Sequence, residues 1–328
     1  MADRAIAVVI PTYNRAALIR ETLAAIYAQT LAPRAIIVVD DGSTDDTAAV
    51  LAAEGDRIRV LRIANGGDLR ARNAGIAAAE ADLIAFCDSD DLWEPEFLAE
   101  MAALWQAEPA LCAAYGDFVL LRDGVRGTVR KFADAPAGFW DELRPLGGAG
   151  GVFDRPIAER LIRFQPFFPS ALVARADFLR AIGGWDEGVS RIVGSDLATA
   201  LRITAHAPIG VLRRPLVAIR KHGENFSGDT QAMELGDSLV LEHALRTNPY
   251  LAPHAATLRA STIARRRAAL DTAFARGDLA GVRAIADLLG PALGRAGRVK
   301  AGIARLPGPL ARAGAAVLLA AGSLRARS

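Results

Sequence analysis

The chain is poor in cysteine: 328 residues hold only Cys87 and Cys112, and neither belongs to a Cys-x-x-Cys pair. No disulfide framework or zinc site follows, and a reduced, cytosolic compartment is expected. Long apolar runs are also missing. The best candidate, Ala313 to Gly322, is rich in small residues and far short of the roughly 20 needed to span a bilayer. The opening Met1-Ala2-Asp3-Arg4 runs straight into a strand-like segment that is too short and wrongly flanked for a signal peptide. No motif supports a nucleic-acid partner. What is plentiful is apolar residues, 52% of the chain, which excludes a disordered protein.

The net charge of +2 hides an asymmetry. Residues 244–328 carry fourteen Lys or Arg against three Asp, so the rest of the chain is acidic on balance. Such a split predicts different partners for the two halves.

The N-terminal half alternates short β-branched runs with helical spacing. Strands are expected at Ala5 to Ile10, Ala35 to Val39, Ile58 to Ile63 and Leu83 to Cys87. Helices are expected after Asn14, which can cap the first, and at Thr44 to Ala53, Leu69 to Ala79 and Pro95 to Gln106. This alternation predicts an α/β fold with a mostly parallel sheet and flanking helices. Cys112 to Leu121 and Val125 to Phe132 form a strand pair around Arg122-Asp123-Gly124. Residues 134–169, rich in Gly and Pro, are expected to be one long irregular segment. A strand at Ser170 to Ala174, helices at Asp177 to Ile182 and Ser195 to Ala205, and a final strand at Leu216 to Arg220 complete region 1–228. Region 229–328 is a helical, basic appendage, broken at Asn248-Pro249 and Gly277-Asp278.

Every polar cluster of the first half follows a strand: Pro11-Thr12-Tyr13-Asn14-Arg15, Asp40-Asp41-Gly42-Ser43, and Asp88-Ser89-Asp90-Asp91. In open α/β sheets ligands bind at that edge. The last cluster puts three carboxylates within four residues. Mg²⁺ or Mn²⁺ relieves such repulsion, taking one or two carboxylates plus phosphate oxygens. Asp88, Asp90 and Asp91 are therefore candidate metal ligands for a phosphate-bearing substrate. A turn leading into a helix N-cap is the structural alternative. Tyr13 offers an aromatic face for a flat base, or else half-fills the core. A carboxylate at Asp41 can accept the imide N–H of uracil or thymine, and guanine also qualifies. Alternatively Asp40 and Asp41 serve an Asx turn with Gly42. Arg72 can fork onto a base carbonyl or a diphosphate, with Arg70 as its competitor.

Taken in order, these motifs resemble the family 2 glycosyltransferases of the GT-A fold. The resemblance rests on Pro-Thr-Tyr-Asn-Arg at 11–15, Val-Asp-Asp-Gly-Ser-Thr-Asp at 39–45, Ala-Arg-Asn-Ala-Gly at 71–75 and Asp-Ser-Asp-Asp at 88–91. It continues with Gly-Gly-Trp-Asp-Glu at 183–187, Asp196 six residues before Arg202, and Arg220-Lys221-His222 followed by Asn225 and Ser227. It implies donor contacts from Pro11, Thr12, Tyr13, Arg15, Asp41, Arg72, Asp88, Ser89, Asp90 and His222. It picks Arg72 over Arg70, makes Asp90 or Asp91 the closest metal contact, and makes Asp196 the catalytic base. Most members have Glu-Asp where this chain has Ser195-Asp196. The expected activity is inverting transfer from a nucleoside-diphosphate sugar to a saccharide or lipid-linked acceptor. UDP or dTDP is favoured and GDP is possible. Cell-surface polysaccharide or glycolipid assembly is the expected setting, with Mn²⁺ or Mg²⁺ as cofactor.

Two rival classes are weaker. A sugar-phosphate nucleotidyltransferase would need a Gly-rich basic loop where Pro-Thr-Tyr-Asn-Arg stands. A non-catalytic nucleotide-sugar-binding protein would not need both the acidic cluster and Asp196. The Gln-x-x-Arg-Trp signature of processive synthases is missing. Arg295, Arg298, Lys300, Arg305 and Arg312 interleave with apolar residues. That pattern suggests a cytoplasmic enzyme making peripheral contact with the inner face of the plasma membrane, or a basic face packed on the acidic domain.

Overall fold

The computed structural model describes residues 4–221 and 229–325. Its central strand, β1 (Ile6–Thr12), is buried at all seven positions. Burial on both faces is what a strand in a parallel sheet requires, because crossover helices cover each side. After α1 (Ile19–Tyr27) comes β2 (Ala35–Asp40), then α2 (Thr47–Ala52), β3 (Arg59–Arg62), α3 (Asp68–Ala78) and β4 (Leu83–Phe86). These strands lie in the order β3-β2-β1-β4, all parallel. The register aligns Thr12 with Asp40 and Asp40 with Arg62, so the strand ends form one edge.

Beyond β4 the sheet becomes mixed. The chain continues through β5 (Leu92–Trp93), α4 (Phe97–Ala107), β6 (Ala113–Arg122), β7 (Val125–Arg130), β8 (Arg144–Gly147), β9 (Gly150–Phe153), α5 (Ala158–Arg163), β10 (Leu172–Arg175), α6 (Ala176–Ala181), α7 (Asp196–Thr204) and β11 (Ile209–Lys221). β10 runs antiparallel to both β4 and β6, and β11 is parallel to β6 but antiparallel to β9 and β5. The parallel character is therefore concentrated in the first four strands, and the reversal at β10 has a functional consequence. Val173 pairs with Ala85, so the start of β10 lies beside the turn that follows β4. In the same way Val217 pairs with Trp93, which brings the end of β11 to that turn.

Three sequence expectations are corrected. Residues 134–169 are not irregular throughout, for they contain β8, β9 and α5. They also carry packed aromatics: Phe139 and Trp140 lie 4.7 Å apart, and Phe132 and Trp140 are also 4.7 Å apart. The last strand starts at Ile209 rather than Leu216, its register shifting around Pro215, which cannot donate to the ladder. Asn14 does not cap α1, whose N-cap position is Leu18 with no side-chain bond. Asn14 instead takes φ +51° and its Oδ1 accepts the Thr44 N–H at 2.8 Å.

The chain divides into two compact units, Met1–Arg191 with Ser195–Gly223, and Ile192–Gly194 with Glu224–Ser328. The second holds α8 (Thr230–Thr247), α9 (Ala255–Ala275), α10 (Leu279–Leu289), α11 (Gly294–Ala304) and α12 (Gly308–Arg325). Its core is Ala269, Leu270, Phe274, Val282, Ile285 and Leu289 with their neighbours. Asp229 caps α8 and Asp278 caps α10 through their carboxylates. Among the described residues no helix is long and apolar enough to cross a membrane.

Helix α3 lies hard against β1 because Gly75 has no side chain. A Cβ there would come within 2.3 Å of Val9 Cγ1. Gly75→Ala gains up to about 1 kcal/mol in helix propensity but overpacks the core by about 1–3 kcal/mol. A net loss of stability is expected in urea unfolding.

Candidate active site

Helix α3 carries the Ala-Arg-Asn-Ala-Gly motif, and its side chains tie separate segments together. Arg72 is 3% exposed. Its Nη2 donates to Asp88 Oδ1 at 2.6 Å, its Nη1 contacts Asp68, and its guanidinium lies 4.6 Å from the Trp185 ring centre. Burial alone disfavours the charge on Arg72, but Asp88 and Asp68 outweigh it and hold the proton more tightly. Among the described residues no partner reaches Arg72 Nε. Asn73 braces the Gly-Gly-Trp-Asp-Glu segment. Its Oδ1 accepts from Trp185 N–H at 2.7 Å, and its Nδ2 donates to Trp185 O at 2.9 Å and Glu187 Oε1 at 2.7 Å. Gly184, at φ +65°, permits this approach, since a Cβ would meet Asn73 Oδ1 at 2.4 Å.

The acidic turn after β4 is held from two sides. Ser170 Oγ accepts the Asp88 N–H at 2.9 Å and donates to Asp91 Oδ2 at 2.5 Å. Arg220 gives its backbone N–H to Asp91 Oδ1 at 2.8 Å and its Nε–H to Asp90 O at 2.8 Å. Both oxygens of buried Asp91 thus bind protein donors. The Asp90 carboxylate points elsewhere, with Oδ2 3.7 Å from Arg15 Nε. Burial pushes the Asp91 carboxyl well up, and Asp90 and Asp88 push it further. Asp88 is raised by burial and Asp90 against the pull of Arg72. Ser89 is buried between them.

At the neighbouring strand ends, Thr12 is buried and its Oγ1 has no partner among the described residues. Pro11 is buried beside it, and Tyr13 is 44% exposed, as a stacking surface needs. Asp40 Oδ1 accepts the Ser43 N–H at 2.8 Å. Asp41 is 3% exposed and receives the Gly66 and Gly67 N–H groups at 2.8 Å each, with Asn65 Nδ2 at 3.3 Å. Three donors on a carboxylate with about four acceptor positions leave it room for one more.

Asp196 opens α7. The other end of that helix is fixed by Arg202, whose Nη2 lies 2.6 Å from Asp186 Oδ2. The field of Asp196 reaches Tyr115, whose hydroxyl is raised by burial and by that charge, and Lys221. Lys221 is lowered by burial, while Asp91, Asp196 and Asp90 pull it up. His222 lies outside the described residues. The structure therefore gathers Thr12, Arg15, Arg72, Asp88, Asp90 and Asp91 around one edge. The supporting roles of Asn73, Ser170 and Asp186 are invisible in sequence, since Ser170 meets Asp91 across 79 positions.

Comparison with known proteins bears on the family and the fold. Residues 7–166 match the model of glycosyl transferase family 2. A validoxylamine A glucosyltransferase of Streptomyces hygroscopicus subsp. limoneus is 30% identical over 73% of this chain and 56% of its own. The O-antigen biosynthesis protein RfbC of Myxococcus xanthus is 30% identical over 74% of this chain and 18% of its own. The chain thus spans about half, or less, of these relatives' lengths. A solved S. aureus TarS fragment, in complex with UDP-GlcNAc, superposes with a TM-score of 0.57. That match has 20% identity and covers 80% of this chain and 73% of that one, which shows the shared GT-A fold. Through the matched residues, the fold and the ordered motifs, the chain belongs to glycosyl transferase family 2.

Proposed function

We propose that the chain is an inverting glycosyltransferase, moving a sugar from a nucleoside-diphosphate sugar to an acceptor hydroxyl. The observation that carries this reading is the acidic turn after β4, where the Arg72 guanidinium holds Asp88 at 2.6 Å, Ser170 and the Arg220 amide close on Asp91, and Asp90 faces Arg15. A UDP or dTDP donor is favoured, with GDP also chemically compatible, because the position left on Asp41 accepts an imide N–H. The UDP-GlcNAc bound to the TarS fragment supports a nucleotide-sugar donor. A relative named for O-antigen biosynthesis supports cell-surface polysaccharide or glycolipid assembly.

Mg²⁺ or Mn²⁺ suits the donor set. Among the described residues no three acidic, His or Cys side chains form a ready metal cage. These ions commonly take one or two carboxylates and complete their shell with phosphate oxygens and water. Asp91 is committed to Ser170 and Arg220, so Asp90 and Asp88 would hold the ion. Bound there, it supplies positive charge against the departing diphosphate. Tyr13 stacks on the base, and the Thr12 hydroxyl and Asp41 orient it. Asp196 takes the proton of the acceptor hydroxyl at its carboxylate as that oxygen attacks the anomeric carbon opposite the leaving group. The bond to the diphosphate breaks as the new one forms, which inverts the configuration. His222, by the family resemblance, belongs to the donor-covering segment.

A saccharide or lipid-linked acceptor is proposed, with peripheral contact at the inner face of the plasma membrane. Residues 290–328 carry seven Lys or Arg and no Asp or Glu. Val299, Leu306, Leu310 and Val317 are exposed among them, at 52%, 47%, 59% and 70%.

In a thermal-shift panel with Mn²⁺, UDP and dTDP should stabilise the protein more than ADP or CDP, and EDTA should erase the effect. Equal shifts for all four would remove Asp41 from base recognition. Asp90→Ala should lose the Mn²⁺-dependent shift at a stability cost below about 1 kcal/mol. Asp91→Ala, which strips partners from buried Ser170 and from the Arg220 amide, should cost about 1–3 kcal/mol.

Asp196→Asn should abolish transfer while keeping UDP affinity. Full activity in that variant would refute its role as base.

Each basic group near an anionic surface contributes roughly 1 kcal/mol. Replacing Arg295, Arg298, Arg305 and Arg312 with Gln should therefore release the full-length protein from phosphatidylglycerol liposomes in a low-salt sedimentation assay. Wild-type protein that ignores such liposomes sinks the membrane proposal.

A further inference from the structure

We propose that a cavity inside the helical unit seats the phosphate headgroup of an anionic lipid, with Arg267 and Arg295 as its cations. The proposal deepens the reading of peripheral membrane contact and rests on it. Every residue it uses belongs to one compact unit.

The cavity measures about 270 Å³ and lies between α9, the end of α10 and the start of α11. Its lining includes Leu270 and Leu289, which are 1% and 5% exposed and give it a buried apolar floor. Arg267, Asp271 and Arg295 line it as well. Arg267 and Asp271 are four residues apart on α9 and so share a face. The charges there are unevenly matched. Asp271 Oδ1 is taken by Lys300 Nζ at 2.8 Å. Arg267 gives its Nε–H and one Nη2–H to Ala292 O, at 3.1 and 2.5 Å. A carbonyl holds the guanidinium in place without cancelling its charge, and three of the five N–H donors remain. Gly294, at φ +73°, lets the chain turn beside this group, since a Cβ would lie 3.6 Å from Arg267 Nη2. Arg295 forms no ion pair or hydrogen bond among the described residues. Two guanidiniums thus face one space with no carboxylate assigned to either, and an anion between them relieves their repulsion.

The class of anion follows from shape and surroundings. A guanidinium fork matches the paired oxygens of a phosphate. The volume falls below the roughly 300–1,000 Å³ of pockets for drug-sized ligands, so a nucleotide sugar is too large and a headgroup is not. Apolar side chains stand in solvent close by. Leu288, next to Leu289, is 46% exposed, and Val299, one helical turn beyond Arg295, is 52% exposed. Cations flanked by exposed apolar groups suit the boundary between lipid headgroup and acyl chain. A soluble phosphate ester shares the anionic chemistry but has nothing to offer Leu288 and Val299.

The test titrates the full-length protein with dihexanoyl phosphatidylglycerol below its micelle concentration, and with glycerol 3-phosphate, read by calorimetry and amide hydrogen exchange. The short-chain lipid should slow exchange over residues 267–271 and 289–297. It should bind at least about tenfold more tightly than glycerol 3-phosphate, because its chains cover apolar surface. Arg295→Gln should weaken it by about fivefold or more. Arg267→Gln should do the same, and Arg295, which holds no internal bond, decides the matter if Arg267→Gln unfolds. Arg298→Gln removes the same charge outside the cavity lining and should change affinity by less than about twofold. Equal losses for Arg295→Gln and Arg298→Gln overturn the proposal, since diffuse attraction counts charges without regard to place. Glycerol 3-phosphate binding as tightly as the lipid overturns the lipid occupant, and unchanged exchange over both segments overturns the site. Sedimentation with phosphatidylglycerol liposomes separates this failure from that of the membrane reading. If liposomes leave wild type in solution while the short-chain lipid gives the expected pattern, membrane contact fails and the cavity stands. If liposomes retain wild type and Arg295→Gln equally, membrane contact stands and the cavity fails.

Discussion

Three carboxylates crowd the turn after β4, and the fold sets cations and donors against only part of that charge. Arg72 faces Asp88, and Ser170 and Arg220 serve Asp91. Burial first, and then the neighbouring carboxylates, push both Asp88 and Asp91 upward. The sign of the consequence is clear. A carboxyl raised in the folded state contributes stability at low pH, and that contribution fades as pH rises through the folded value. The turn is therefore under electrostatic strain near neutrality, and positive charge arriving with a ligand would relieve it. The reversed strand β10 and the long strand β11 can be understood in the same terms, since their register delivers Ser170 and Arg220 to the turn.

Helix α3 passes that constraint to the rest of the first unit. Within four consecutive positions, Arg72 meets the acidic turn, Asn73 meets the 185–187 segment, and Gly75 lets the helix settle on Val9. Trp185 closes the loop between two of these contacts. It packs edge-on against Phe86, the last residue of β4, at 5.3 Å, while its ring faces Arg72. Moving the helix would disturb all of these together, which explains why a short and otherwise ordinary pentapeptide carries so much of the family resemblance.

How far the fold can be read from the sequence depends on where each contact partner sits. Strands β1, β2 and β4 are legible because burial on both faces writes them as apolar runs, while the edge strand β3 is mostly exposed and carries Arg59 and Arg62. The hairpin of β8 and β9 is hidden because three of its eight strand residues are glycines. Cβ atoms at Gly150 and Gly151 would lie 2.7 Å from Leu104 Cδ2 and 2.8 Å from Leu143 Cγ, so close packing there demands the composition of a loop. Gly210 hides the start of β11 for the same reason, since its Cβ would fall 2.9 Å from Ala114 Cβ. In the site, residue types and strand ends point to Asp88, Asp90 and Tyr13. They cannot distinguish Asp90 from Asp91, because the Arg220 amide that engages Asp91 lies 129 positions away.

That distinction separates the two acidic pairs. Neighbouring residues in extended chain point in opposite directions, so adjacent carboxylates can meet different surroundings. After β2 the two carboxylates both accept backbone N–H groups, Asp40 from its own turn and Asp41 from the 65–67 loop. After β4 the outcome is uneven. Asp91 turns inward onto Ser170 and the Arg220 amide, while Asp90 faces the Arg15 guanidinium at a looser 3.7 Å. A carboxylate closed off by short bonds to main chain and hydroxyl must lose structure before it can serve a ligand. The looser Arg15–Asp90 pair can be exchanged for another cation at smaller cost. The acidic turn therefore divides its labour between a residue that shapes the turn and a residue that the turn presents.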